Sequence, residues 1–282
     1  MGRIVIELLV APVLVAASTL VARRWGSRAG GVVSAFPAIV GPVLLILALS
    51  HGPGFAARAA NGTLLGLGSL AAFGLAYGRV ALHRDWRAAV AAGWLAAALA
   101  AVAVGTLAAG TGSPVGLLIA TSGLVLAARA LPWVAAAPAP ARPRRGELSL
   151  RMASAALLVV SLSAAAGALG AVAGGMVAAL PVLACVLAVF THREQGAAAT
   201  IALLRGMLAG MGAFVLFCQV ITLAIVPFGI TPAFVAATVV ALATQAIAVY
   251  PPAAVHSLLR RQSSAARPAV AAAPGSLGRQ SS

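Results

Sequence analysis

Few residues in this chain are of a type that does chemistry. The acidic side chains number four (Glu7, Asp85, Glu147, Glu194), as do the histidines (His51, His83, His192, His256). None stands at the spacing of paired carboxylates or of an HExxH helix, so an enzyme is not expected, nor a metal or a cofactor. Cys185 and Cys218 lie in apolar stretches and read as small core residues, not a redox pair. No serine has an evident base beside it. Glu7 is the one acid inside an apolar run. A carboxylate in hydrocarbon is costly, about 2.5–3.5 kcal/mol for Asp at mid-helix, and so is a default functional candidate. Glu7 is read as a candidate coupling residue, set against snorkelling from near the end of its span.

A second candidate comes from a phrase used twice. AGGVVSAFP at residues 29–37 returns as AGGMVAALP at 173–181, identical at six of nine positions. Pro37 and Pro181 each follow a glycine pair, Gly30–Gly31 and Gly174–Gly175. A proline removes a backbone donor and glycines weaken the helix, so either segment could free backbone groups for a ligand or simply kink and pack. Polar side chains that could line such a site are Ser34, Asn61, Ser161, Ser163, Gln219, Thr244 and Gln245, with interhelical hydrogen bonding as their plainer use. Gly30, Gly31, Pro37, Gly174, Gly175, Pro181, Gln219 and Gln245 are the candidate substrate-binding set.

These residues need a scaffold, and composition says which kind. The 282 residues are 62% hydrophobic and 8% charged, with a mean hydropathy of +1.06, too apolar to cover a water-soluble domain. The class is all-α, a polytopic membrane protein. Nine stretches approach the roughly 20 apolar residues that cross a bilayer: about 4–22, 30–50, 59–78, 88–107, 113–131, 150–169, 172–190, 206–226 and 231–250. The first is long for a signal peptide and has its arginines behind it, so cleavage is not expected. The net charge of +15 rests on 19 arginines lying between or beside the apolar runs. That placement is the pattern of topology, not of nucleic-acid binding.

With the N-terminus outside, 17 of the 19 arginines fall on the cytoplasmic side, leaving Arg3 and Arg58 outside. The expected location is a bacterial inner membrane with the C-terminus cytoplasmic. At an offset of 144 the duplication extends to Gly26 and Gly170, Gly52 and Gly196, Gly62 and Gly206, Gly66 and Gly210, Gly68 and Gly212, and Phe73 and Phe217. Corresponding positions are five crossings apart, an odd number, so the two halves enter the membrane in opposite directions. The charges agree: Arg23, Arg24 and Arg28 face Gly167, Ala168 and Val172, while Arg193 and Arg205 face Leu49 and Asn61. The expected organisation is a four-span repeat over 1–107, a fifth span and linker over 108–148, an inverted four-span repeat over 149–250, and a disordered tail over 251–282. GLGSL and AGMGAF read as close-packing surfaces, since neither follows a strand or carries a lysine.

The run AGGMVAALP, followed by a glycine fifteen residues after its proline within THREQGAAATIALLRG, resembles the GlpM-like family of small four-span bacterial inner-membrane proteins and the related DUF3147 proteins. The likeness covers about 149–250 and, more weakly, 5–107. It implies a link to exopolysaccharide production without an established activity, and this chain departs from it by joining two units through an extra span.

Two functions follow as expectations. One is carrier-type transport of a small solute by rocking of the halves. The other is a non-transporting accessory protein of an envelope or exopolysaccharide complex, with a membrane-protein partner or a homo-oligomer. The linker APAPARPRRGEL and the other cytoplasmic arginines are expected to meet anionic headgroups, at about 1 kcal/mol per arginine near the surface.

Overall fold

Glycine decides where these helices begin and end. Runs of Ala, Leu and Val carry helix readily, and in the computed structural model they are interrupted at single residues. The structure describes residues 2–37, 40–107, 113–134, 149–154, 156–157 and 181–249. Among the described residues the elements are α1 (Gly2–Trp25), α2 (Ser27–Ser34), α3 (Val40–His51), α4 (Pro53–Val80), α5 (Trp86–Leu107), α6 (Ser113–Ala130), α7 (Val182–Phe228) and α8 (Ile230–Val249), with no strand. Gly26 joins α1 to α2 and Gly52 joins α3 to α4. Gly196 bends α7, and Gly229 joins α7 to α8. All four have φ between 82° and 89°. With ψ near 180°, Gly52 (86°, 165°) and Gly196 (82°, −177°) sit in a region open essentially to glycine alone.

α4, α5, α7 and α8 are long and apolar enough to cross a membrane. α4 is the central post, with 72% of its apolar window buried against 17% in α5 and 22% in α8. It packs on α3, α5, α6 and α7. Leu64, Leu65, Leu67, Phe73 and Tyr77 are its largest fully buried side chains. α5 and α8 turn Leu95, Leu99, Val235 and Val239 outward. Helices that are apolar all round yet largely uncovered suit a lipid surround.

Two expectations are corrected. The second span, expected as one helix over 30–50, is broken into α2 and α3, because Pro37 cannot donate to the ladder. At about 1.5 Å per residue the pieces are roughly 12 and 18 Å long, with Pro37 between them. The loop expected at 191–205 is helical on both sides of Gly196, which alone makes the joint. His51 and His192, expected in loops, are accordingly helical. The expected spans 59–78, 88–107 and 231–250 coincide with α4, α5 and α8. Span 150–169 lies mostly outside the described residues, as do the linker 137–148 and the tail 251–282.

One seam ties the first half of the chain to the second. A Cβ on Gly31 would enter the Leu203 carbonyl, and one on Gly206 would enter that of Arg28. A Cβ on Gly210 would stand 2.7 Å from the Val32 carbonyl. α2 thus lies backbone to backbone on α7, as small residues allow. On its other side, the Ser18 hydroxyl of α1 donates to the Gly30 carbonyl at 2.7 Å.

Candidate functional site

Between α2 and α3 the helix is interrupted at residues 35–37. Near the end of α2 the pattern tightens: Ala35 N–H donates to Val32 O at 3.2 Å and Phe36 N–H to Val33 O at 3.3 Å. The Ser34 hydroxyl turns back to Gly31 O at 2.7 Å. Across the break, Gly41 N–H of α3 donates to Pro37 O at 3.0 Å. The same step recurs 144 residues on, where Cys185 N–H donates to Pro181 O at 2.8 Å and opens α7. Pro37 and Pro181 are both buried.

Gln245 closes on this break from α8. Its amide Nε2 donates to Val32 O. The residue is 9% exposed, and its Oε1 has no hydrogen-bond partner. The acceptor it meets is a main-chain carbonyl, so the nitrogen must face Val32 and the oxygen must face away.

Of the expected set, the structure therefore places Gln245 on α2 at Val32, between the Gly30–Gly31 pair and Pro37 in the chain. Pro181 opens a separate helix, and Gln219 sits half-buried on α7. Gly174 and Gly175 lie outside the described residues, as do Ser161 and Ser163. Glu7 falls in α1, with its side chain outside them as well. Thr244 bonds its own helix at Val240 O, 2.8 Å. Asn61 lies across from Gly116 of α6, whose Cβ would stand 2.5 Å from Asn61 Oδ1. Ser18 and the Val32 carbonyl were not among the candidates. The carbonyl is a backbone group with no side-chain signature, and Ser18 is one serine among many.

A second polar layer gathers at the end of the assembly where Gly26, the α4–α5 turn and Gly196 meet. Ser27 Oγ donates to Gln195 Oε1 at 3.3 Å, and Tyr77 Oη lies 3.3 Å from His192 Nδ1. Arg151, 4% exposed at its side chain, pairs with Glu194 at 2.5 Å. Arg193 stacks over Trp86 at 5.5 Å. Two arginines, one from each half, hold the carboxyl end of α6: Arg79 donates to Ala130 O at 3.4 Å, and Arg205 donates to Pro132 O at 3.0 Å and to Leu131 O. Cations on the last carbonyls of a helix complete its orphan acceptors and oppose its dipole. Arg205 also lies over the Trp133 ring at 4.3 Å.

Neither cysteine is placed for redox work. Both are buried and free, and Cys185 accepts from Trp94 Nε1 at 3.4 Å. Among the described residues no group of three or more His, Cys, Asp or Glu could hold a metal ion.

Comparison with protein families, curated proteins and solved structures gives no match. The GlpM-like resemblance is left resting on the two short motifs that suggested it.

Proposed function

We propose that the chain is a nine-span inner-membrane protein of two inverted four-span units, with the N-terminus outside, that carries a small solute. The observation that carries this reading is the recurrence of one backbone device 144 residues apart. Pro37 and Pro181 each accept a hydrogen bond from the first turn of the helix that follows, and the next positive-φ glycine in each case, Gly52 after α3 and Gly196 within α7, lies fifteen residues beyond the proline. In carriers with inverted repeats, broken helices at corresponding places border the solute site, and one half rocks against the other. The arginine-rich layer around Gly26, Arg79, Arg205 and Gly196 is then the cytoplasmic face. Purified protein in liposomes should take up one or more solutes from a broad panel. The Pro37→Ala/Pro181→Ala double variant should lose at least tenfold in rate while remaining folded.

One observation favours a second reading, an accessory protein of a membrane complex. The α2–α7 seam has backbone on backbone at Gly31, Gly206 and Gly210, a contact that leaves little room for sliding. Absence of flux for every solute in the panel would favour that role.

A further inference from the structure

We propose that Gln245 marks the binding position of a small neutral solute that donates a hydrogen bond, at the break between α2 and α3; this rests on the carrier reading and names its substrate class. The buried amide is half used. Nε2 is held by Val32 O, which fixes the unpartnered Oε1 as an acceptor. The Ser18 and Ser34 hydroxyls of the same region are already spent, on Gly30 O and Gly31 O. What the break offers is therefore an acceptor, and a buried acceptor is satisfied by an N–H or O–H donor.

Charge selects further. Asp85 Oδ1 accepts from Ala88 N–H in the α4–α5 turn, and Glu194 is paired with Arg151, both in the polar layer at the end of the assembly. The carboxyl end of α2 and the amino end of α3 meet at the break, so their partial charges oppose one another. Among the described residues, the side-chain group a desolvated cation would meet there is a neutral amide oxygen, and an anion would be repelled by it. A hydroxyl or amide solute escapes both penalties.

An isosteric series tests this on the full chain in nanodiscs, by saturation-transfer NMR titration with propanamide, propylammonium, propanoate and the donor-free N,N-dimethylpropanamide. Propanamide should bind at least tenfold more tightly than the other three. Gln245→Met should weaken propanamide at least tenfold, whereas Thr244→Val, which alters a hydroxyl bonded within α8, should not. Gln245→Glu at pH 8, which adds the missing countercharge, should turn the preference toward propylammonium. Tighter binding of either ion to the unmodified protein, unchanged propanamide binding in Gln245→Met, or no binding of any probe would overturn the assignment. Selective binding without flux in liposomes would keep the site and remove the carrier reading.

Discussion

Gly52 and Gly196 make the same joint; Asp85 and Gly229, also 144 residues apart, do not. At the first pair two helices meet through one residue with nearly the same dihedral angles. At the second, the first half uses a turn over residues 81–85 and caps α5 through Asp85 Oδ1 on Ala88 N–H at 3.1 Å. The second half uses Gly229 alone, with φ of 85° and a bond from Ala233 N–H to Gly229 O at 3.4 Å. The difference follows charge. The 81–85 turn is flanked by Arg79, Arg84 and Arg87, where a longer polar turn keeps arginines in water. The Gly229 joint has Phe228 and Ile230 beside it and no charged neighbour. Backbone geometry is thus alike at Gly52 and Gly196, where it sets helix direction, and unlike at Asp85 and Gly229, where the flanking side chains differ in charge.

The largest effect expected from breaking the comparison is at the seam. Gly206→Val drives a side chain into the Arg28 carbonyl, and overpacking of this kind costs about 3 kcal/mol or more when backbone must move. If the two halves are copies in structure, Gly62→Val at the equivalent buried position of α4 should lower the unfolding temperature in detergent by a comparable amount. A mild effect at Gly62 beside a severe one at Gly206 would deny the equivalence.

Next in size is a pair of positions, 144 residues apart, that differ. Glu194 neutralises a buried arginine, while its counterpart Ser50 is exposed and bonds only its own helix at Ile46 O, 2.7 Å. Removing one partner of a buried pair costs about 3–5 kcal/mol, toward the lower end where one partner is partly wet, as Glu194 is at 28% exposure. Glu194→Ala should therefore destabilise strongly and Ser50→Ala hardly at all, read by thermal unfolding at fixed detergent. Equal effects would mean that the Arg151 pair contributes little.

Much of this architecture is legible in the sequence, and the parts that are not have a physical reason. Apolar runs locate α4, α5 and α8 because a span needs length and composition, both of which a sequence states. The doubled AGGxV…P phrase points to the break at Pro37 because proline acts on its own backbone. Gln245 could be named as polar in an apolar helix, but not placed: its counterpart at the 144 spacing is Ala101, so the repeat gives no warning of it. The extent of α7 is not legible because Thr191–Gln195 are polar. Their polarity reflects the layer they meet, Tyr77, Ser27 and Arg151, and not an absence of helix.

A smaller effect tests the joints that match. Gly52→Ala and Gly196→Ala meet no atom within 4 Å, so steric clash is not the issue. The penalty is the conformation itself, about 1–3 kcal/mol for a side chain held in that region. Both should fall by similar amounts in thermal unfolding. A drop at only one would show that its neighbours relax and that the shared angles are not required.

The smallest effect asks whether the unlike joints are interchangeable. Asp85 acts as an N-cap, and its loss to alanine costs about 1 kcal/mol, whereas replacement by glycine typically costs only a few tenths. Since glycine is what the second half uses at this position, Asp85→Gly should be nearly silent in thermal unfolding while Asp85→Ala is not. The order matters more than the size. If Asp85→Gly were the worse of the two, the carboxylate would be serving the arginines of the turn and not the helix end. The α4–α5 turn would then be built on charge pairing, a solution with no counterpart at Gly229.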